Sequence, residues 1–238
     1  MIELEKIFQR AQMYKISKRY KDIFEQYFYK GEPTPLSIGT LAVCALCFLF
    51  LIVSTFTQVI FSHPWLEYIQ GTGLQGFMKI IIYNPQVVVM IFIIYLLGRN
   101  YSYLTFITYL LTGFFIWPVF AYGGGFEYIK NYLFGYLLGF VVAAYLINEI
   151  FKYGQNYKMR LLASAIGVLS IHLCGFVYCI ILALFGKLEF GIWTIFKAIT
   201  LNKILYDLFF SAILLLIAPY IKSIFWICMK PKADRKKR

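Results

Sequence analysis

A few ionisable side chains lie within long apolar runs of this sequence. Asp207 is the clearest, because it stands early in the run that begins near Ile204, with Tyr206 beside it and Lys203 four residues earlier. An ionisable residue inside a membrane segment is costly and by default marks a functional site. A carboxylate accepts hydrogen bonds from the N–H groups of a ligand. A local ion pair between Asp207 and Lys203 is the simpler alternative.

Two further polar residues occupy comparable positions. His172 lies about half-way along another apolar run, and Gln86 follows Asn84-Pro85 at the start of a third. Both are candidate ligand-binding residues, and a hydrogen bond between helices is the alternative for His172.

Motifs for catalysis are absent from the sequence. It has no G-x-S-x-G, no phosphate-binding loop, and no His/Cys/Asp cluster with metal-ligand spacing. Cys44 and Cys47 form a C-x-x-C, but all five cysteines fall in apolar runs and are expected to be small packing residues. We therefore expect no catalytic residue, no metal and no bound cofactor, and ATP hydrolysis would require another chain.

The elements that hold these residues are predicted to be membrane helices. The chain is 61% hydrophobic and 14% charged, whereas about a quarter of residues are charged in soluble domains. The apolar runs are long enough to cross a bilayer core of about 30 Å. The sequence thus predicts an all-α membrane protein with six transmembrane helices, over Leu36–Phe61, Ile80–Leu97, Tyr103–Phe120, Leu133–Phe151, Leu161–Phe185 and Ile204–Cys228.

Charge predicts the domain order and the orientation. Residues 1–35 form a basic amphipathic arm, 36–228 the membrane domain and 229–238 a basic tail. Most of the 23 Lys and Arg residues fall in the arm, the tail and the loops on the same side. The positive-inside rule predicts a multi-pass protein of the plasma membrane with both termini in the cytoplasm. This bias accounts for the net charge of +12 without nucleic acid, and membrane lipid is the expected surrounding.

The stretch FAYGGGFEYIKNYLFGYLLGFVVAAY (120–145) predicts a second part of the site, on the outer side. Glycines at 123–125 precede a group of aromatic residues and favour a mobile lid over a small amphipathic ligand. The candidate ligand-binding residues here are Gly124, Gly125, Phe126, Tyr128, Tyr132 and Tyr136. An interfacial aromatic belt is the alternative. Gly135, Gly139 and Ala143 form a small-xxx-small row that favours close helix packing.

Several motifs resemble the BioY-type biotin transporter, the S-component of energy-coupling factor (ECF) transporters. They are NPQV (84–87), LLGRNYS (96–102), WPVFAYGGGFEYI (117–129) and FGYLLGFVVAAY (134–145), with weaker similarity in IHLCGFVY (171–178) and LYDLFFSA (205–212). The resemblance implies a bundle of six helices that captures biotin from outside. It also implies delivery with a transmembrane T-component and two ATP-binding subunits.

The resemblance also assigns roles to residues. It implies that Asp207 bonds the ureido group of biotin. The commoner family pattern has a lysine three residues later, where this chain has Phe210, so Lys203 is the candidate for the missing cation. The T-component is expected to contact small residues of the first helix, here Gly39, Thr40, Ala42 and Cys44.

Two other functions remain open from the sequence. The substitution at Phe210 favours an S-component for another vitamin or a biotin precursor. A membrane enzyme or assembly factor that acts on lipid is the alternative of another class.

Overall fold

The computed structural model describes residues 36–63, 79–188 and 191–229. Its α-helices are α1 (Ile38–Phe56), α2 (Gln86–Leu111), α3 (Phe134–Phe151), α4 (Tyr157–Leu184), α5 (Ile192–Ile195) and α6 (Ile204–Met229). Two strands, β1 (Val59–His63) and β2 (Lys79–Tyr83), form an antiparallel ribbon. Shorter helical turns are the π-helices Thr112–Ile116 and Phe196–Leu201 and the 3-10 helix Phe126–Lys130. The predicted arm (1–35) and almost all of the predicted tail (229–238) lie outside the described residues.

Long apolar helices dominate the described residues and confirm the predicted class, an all-α membrane bundle. Five helical stretches are long and apolar enough to cross a membrane. They are Ile38–Phe56, Gln86–Ile116, Phe134–Phe151, Tyr157–Leu184 and Ile192–Phe225. The predicted count of six separate helices differs by one from the five stretches in the described part of the chain, because the predicted second and third helices meet at Gly98 with no loop between them.

Helix α2 doubles back on itself at Gly98. In a straight helix Gln86 and Tyr109 would lie about 34 Å apart, yet Gln86 Nε2 donates to Tyr109 Oη at 3.0 Å. The backbone of Gly98 has φ 71° and ψ −171°, a combination open almost only to glycine. One glycine therefore makes the reversal for which the sequence predicted a loop between Leu97 and Tyr103.

The β1–β2 ribbon replaces two predicted helix ends. The sequence predicted that the first helix reaches Phe61 and that the second begins at Ile80, but both segments are strands, with Val59 paired to Tyr83 and Ile60 to Ile82. Runs of β-branched residues favour extended chain. Pro85 disfavours helix in the residue before it, so α2 begins only at Gln86.

The α3–α4 interface is built on the predicted row of small residues. A Cβ at Gly139 would lie 2.7 Å from the Ile171 Cα and 2.9 Å from the Ile171 carbonyl oxygen. Gly135 packs equally closely on Tyr178, and Ala143 is fully buried. Helix packing is thus the role of this row, and it fixes the position of His172, the residue after Ile171.

The end of the bundle opposite Asp207 has its own polar contacts. Lys222 of α6 is buried, and its Nζ donates to the Tyr95 carbonyl at 3.0 Å. That carbonyl lies in the last turn before Gly98, where backbone acceptors lose their helical partners. Arg99, the residue after Gly98, pairs with Glu149 at 3.3 Å, and Glu149 also pairs with Lys152 at 2.7 Å.

Candidate functional site

Asp207 lies at the centre of a buried polar cluster between three elements. It stands in the first turn of α6 and is 2% exposed. Tyr83 of β2 donates its hydroxyl to Asp207 Oδ1 at 2.8 Å. His172 of α4 places Nε2 at 3.0 Å from Asp207 Oδ2. The two carboxylate oxygens thus each have one donor, and each retains a further lone pair for a ligand.

The state of Tyr83 supports its role as a donor. Burial, together with the negative charge of Asp207, raises the pKa of Tyr83 far above its ordinary value. The phenol therefore keeps its proton, and the carboxylate remains an acceptor. The position of Asp207 near the N-terminus of α6 also favours a negative charge, because the helix dipole is positive there.

A group of aromatic rings is joined to the Asp207 carboxylate through Tyr83. Tyr206 and Phe210 are stacked, with centroids 6.5 Å apart and planes inclined by 16°. The Tyr83 ring lies against both, at 5.6 Å and 5.7 Å. Phe210, which stands where the commoner family pattern has a lysine, is therefore part of an aromatic wall.

Tyr136 extends the cluster through His172. Its ring meets the His172 ring edge-on at 5.8 Å, and its hydroxyl lies 2.9 Å from Thr200 Oγ1. Thr200 belongs to the π-helix just before α6. A chain of contacts thus links α3 and this π-helix, through His172, to the Asp207 carboxylate.

The local ion pair between Lys203 and Asp207, the simpler alternative from the sequence, is not formed. Among the described residues, the ion pairs within 4.0 Å place His172, and not Lys203, beside Asp207. Lys203 lies in the turn before α6, which begins at Ile204. Its carbonyl accepts from the Asp207 N–H at 2.9 Å, so the two residues are one helical turn apart although their side chains form no ion pair. Lys203 is half-buried and close enough to feel the charge of Asp207.

Gln86 takes part in a neighbouring polar network. Tyr109 Oη accepts from Gln86 Nε2, lies 3.0 Å from Thr55 Oγ1 and donates to the Val119 carbonyl at 3.1 Å. Asn84 donates its amide to the Thr55 carbonyl. This network ties the end of α1 to both halves of α2, so the Gln86 amide has a structural role, three residues along the chain from Tyr83.

The glycine-rich segment is a packed turn rather than a free hinge. Gly125 donates to the Gly113 carbonyl at 2.8 Å, and a Cβ at Gly124 would lie 2.6 Å from the Pro118 Cα. Phe120 and Gly123 exchange two backbone hydrogen bonds, both of 3.1 Å. These contacts hold the three glycines in a hydrogen-bonded turn, and the predicted mobile lid over the ligand stays a prediction.

Two aromatic residues after the glycines form a separate cluster. Phe126 is 59% exposed and stacks on Phe114 at 5.6 Å. Tyr128 is buried against Phe120 at 4.7 Å, and burial raises its pKa. No hydrogen bond or ring contact in the described part of the chain joins this pair directly to Asp207, and their predicted place at the ligand stays a prediction. Tyr132 is half-buried, and in sequence it lies between Tyr128 of this cluster and Tyr136 beside His172.

On α1 the predicted partner surface divides into two faces. Thr40 and Cys44 are buried in the bundle, so the prediction that they contact a partner is wrong. Ala42 and Ala45 are exposed and Gly39 is half-exposed. The small residues available for close helix contact are thus these three.

Sequence reasoning missed Tyr83 and Thr200. Tyr83 ends an apolar run directly before Asn84-Pro85, and a tyrosine that closes such a run was the available signal. Its pairing with Asp207 depends on a separation of 124 residues, which no local pattern encodes.

The described residues contain no group of three or more His, Cys, Asp or Glu side chains that could hold a metal ion. The arrangement is one of hydrogen-bond donors, acceptors and ring faces. Hydrogen-bonding groups and ring faces of this kind are those that bind small polar heterocycles in proteins.

Comparisons with known proteins agree with this arrangement. The fold is similar to a solved structure described as the S-component for biotin from an ECF-type ABC transporter, with a TM-score of 0.57 and 18% sequence identity. The similarity covers 79% of this chain and 94% of that one. No curated protein sequence matches this chain significantly. The BioY family model matches residues 30–226. Because that match covers most of the chain, this protein belongs to the BioY family.

Proposed function

We propose that this BioY-family membrane protein, a transport protein rather than an enzyme, is the subunit that binds biotin during uptake. The observation that carries the proposal is the buried Asp207 carboxylate, held by Tyr83 and His172 within aromatic walls. The ureido ring of biotin offers N–H donors and a flat face, which match an acceptor beside rings. The similarity of the fold to the S-component for biotin supports the same ligand.

The chain is proposed to work with an ECF energising module made of a T-component and two ATP-binding subunits. The sequence contains no phosphate-binding loop, so it does not supply the ATPase itself. The distribution of Lys and Arg supports an orientation with both termini in the cytoplasm. Asp207 then lies towards the outer surface, at the end of α6 opposite Lys222.

Binding is proposed to proceed by capture from outside. A ureido N–H group bonds a free lone pair of Asp207, and the rings of Tyr83, Tyr206 and Phe210 exclude water from that contact. Water exclusion strengthens the hydrogen bonds to a charged acceptor. Lys203 is proposed as the cation that attracts the carboxylate of the ligand.

The test is biotin binding to the purified full-length protein, measured by calorimetry in detergent. We expect a dissociation constant below the micromolar range for the wild type. Asp207→Asn keeps the shape but replaces one acceptor oxygen by a donor, and we expect it to weaken binding at least about 100-fold. Absence of wild-type binding, or an unchanged affinity in Asp207→Asn, would contradict the proposal. Binding of another vitamin instead of biotin would support the alternative that Phe210 suggests.

A further inference from the structure

His172 has a buried nitrogen that no residue of the described chain satisfies. Three buried side-chain N or O atoms lack a hydrogen-bond partner in the described residues, namely Gln155 Oε1, Arg160 Nε and His172 Nδ1. The first two belong to the connection between α3 and α4 and the start of α4, whereas His172 contacts Asp207. His172 is only 4% exposed. An unpaired polar atom at such a depth loses its hydration without compensation.

The partners of Asp207 define which kind of atom Nδ1 is. A carboxylate only accepts, so the 3.0 Å contact requires a proton on His172 Nε2. In the neutral imidazole the other nitrogen then carries a lone pair. His172 Nδ1 is thus an acceptor held in place by Asp207 on one side and by the Tyr136 ring on another.

We propose that His172 Nδ1 accepts a hydrogen bond from a second N–H group of the ligand. Asp207 and His172 would then recognise two donors of one head group, which selects cyclic ureas over rings with a single N–H. This inference rests on the proposed function, since it assigns the second donor of biotin to a named atom. It makes His172 a specificity-determining residue as well as a partner of Asp207.

Two substitutions of His172 distinguish the role of Nε2 from the role of Nδ1. Each places its amide atoms as many bonds from Cβ as one of the two ring nitrogens. In Gln the amide atoms lie as many bonds from Cβ as His Nε2, so His172→Gln keeps a donor for Asp207 and removes the acceptor at Nδ1. In Asn the amide atoms match Nδ1, so His172→Asn loses the Asp207 contact and keeps a polar atom at Nδ1. If His172 only held Asp207 in position, Gln would restore binding.

The experiment measures the affinity of the full-length protein for biotin and for its two isomers methylated on a single ureido nitrogen. We expect His172→Gln to weaken biotin binding about tenfold or more. We expect the wild type to bind both methylated isomers at least about tenfold more weakly than biotin. The His172→Gln protein should bind one of the methylated isomers as tightly as it binds biotin. The N–H group that is blocked in that isomer has no acceptor left in this variant.

Three results would overturn the inference. The first is wild-type affinity in His172→Gln. The second is equal affinity of the wild type for biotin and either methylated isomer, a measurement that needs no variant to fold. The third is an isomer penalty that is the same in the wild type and in His172→Gln. Loss of binding in Asp207→Asn together with any of these would leave the proposed function standing, whereas absence of wild-type binding would refute both.

Discussion

At the scale of residues, the buried Asp207 is stabilised by hydrogen bonds and not by a lysine. Tyr83 and His172 supply one donor to each oxygen, and the start of α6 adds a favourable dipole. A buried carboxylate with this support remains an acceptor, which is the property that a urea requires. In the proposed complex, the head group is therefore recognised through the direction and length of hydrogen bonds more than through charge.

Lys203 leads to a prediction about the other end of the ligand. We expect the wild type to bind biotin about tenfold more tightly than biotin amide, because a hydrogen bond between two charged groups is worth about 1.5–3 kcal/mol. Lys203→Met should remove most of this preference, with both affinities measured by calorimetry. Lys197→Met is the control, since Lys197 lies 5.5 Å over the Trp193 ring. The preference of this variant for biotin over biotin amide should not change. A Lys203→Met protein that still prefers the acid would disprove the role of Lys203.

The sequence identified some of these residues for a physical reason. Asp207 and His172 were detectable because a polar group in hydrocarbon is rare, and Tyr136 because it belongs to a recognisable helix motif. Tyr83 was not detectable, since a tyrosine at the end of an apolar run is common at membrane interfaces. Its importance comes from a partner distant in sequence.

At the scale of elements, the close approach of α3 and α4 positions the site. Gly139 lets the backbone of α4 come near at Ile171, and His172 follows directly. Tyr136, one turn before Gly139, packs on Gly175 of α4, where a Cβ would lie 2.5 Å from the ring. The spacing of the two helices therefore sets the position of both site residues.

This contact can be tested with one added methyl group. Gly139→Ala places a Cβ against backbone atoms that cannot move independently, and overpacking of this kind costs about 1–3 kcal/mol. We expect a melting temperature lower by several degrees and weaker biotin binding, although alanine favours helix. Leu138→Ala is the control, because Leu138 faces outward at 39% exposure. Equal stability and affinity of Gly139→Ala and the wild type would show that the helices tolerate a wider spacing.

The elements also show where sequence patterns fail. The starts and ends of α3, α4 and α6 lie within a few residues of the predicted ones, because apolar runs bounded by polar residues define them. The reversal at Gly98 falls between the predicted second and third helices, but the sequence predicted a loop up to Tyr103 there, because one glycine leaves no run of turn residues. The β1–β2 ribbon was missed because five-residue apolar strands are indistinguishable from the ends of long apolar helices.

At the scale of the whole molecule, the outer face of α1 is the surface proposed to meet the T-component. Ala42, Ala45 and Gly39 have small side chains, so a second helix can approach them closely. Leu46 and Leu49 extend the same exposed side along the helix. This surface is compatible with transient contact between membrane proteins.

Tryptophan at two neighbouring positions distinguishes partner contact from folding. Ala42→Trp should prevent copurification with the energising module and leave the affinity for biotin unchanged, since Ala42 is exposed. Cys44→Trp should instead destabilise the bundle, because Cys44 is 7% exposed and its pocket has no room for an indole. Leu169→Trp adds an indole to the exposed surface of α4 and should assemble normally. Unchanged copurification of Ala42→Trp would refute the proposed surface.

The helix α6 is fastened at both ends, by Asp207 to β2 and α4 and by Lys222 to the α2 reversal. The two anchors are 15 residues apart, or about 22 Å along the axis, with Pro219 between them and close to the inner one. Rotation or translation of α6 alone would break a buried polar contact at one of its ends. In the proposed transport of biotin, release of the ligand therefore requires either that the surrounding helices move with α6 as one body or that α6 bends at Pro219.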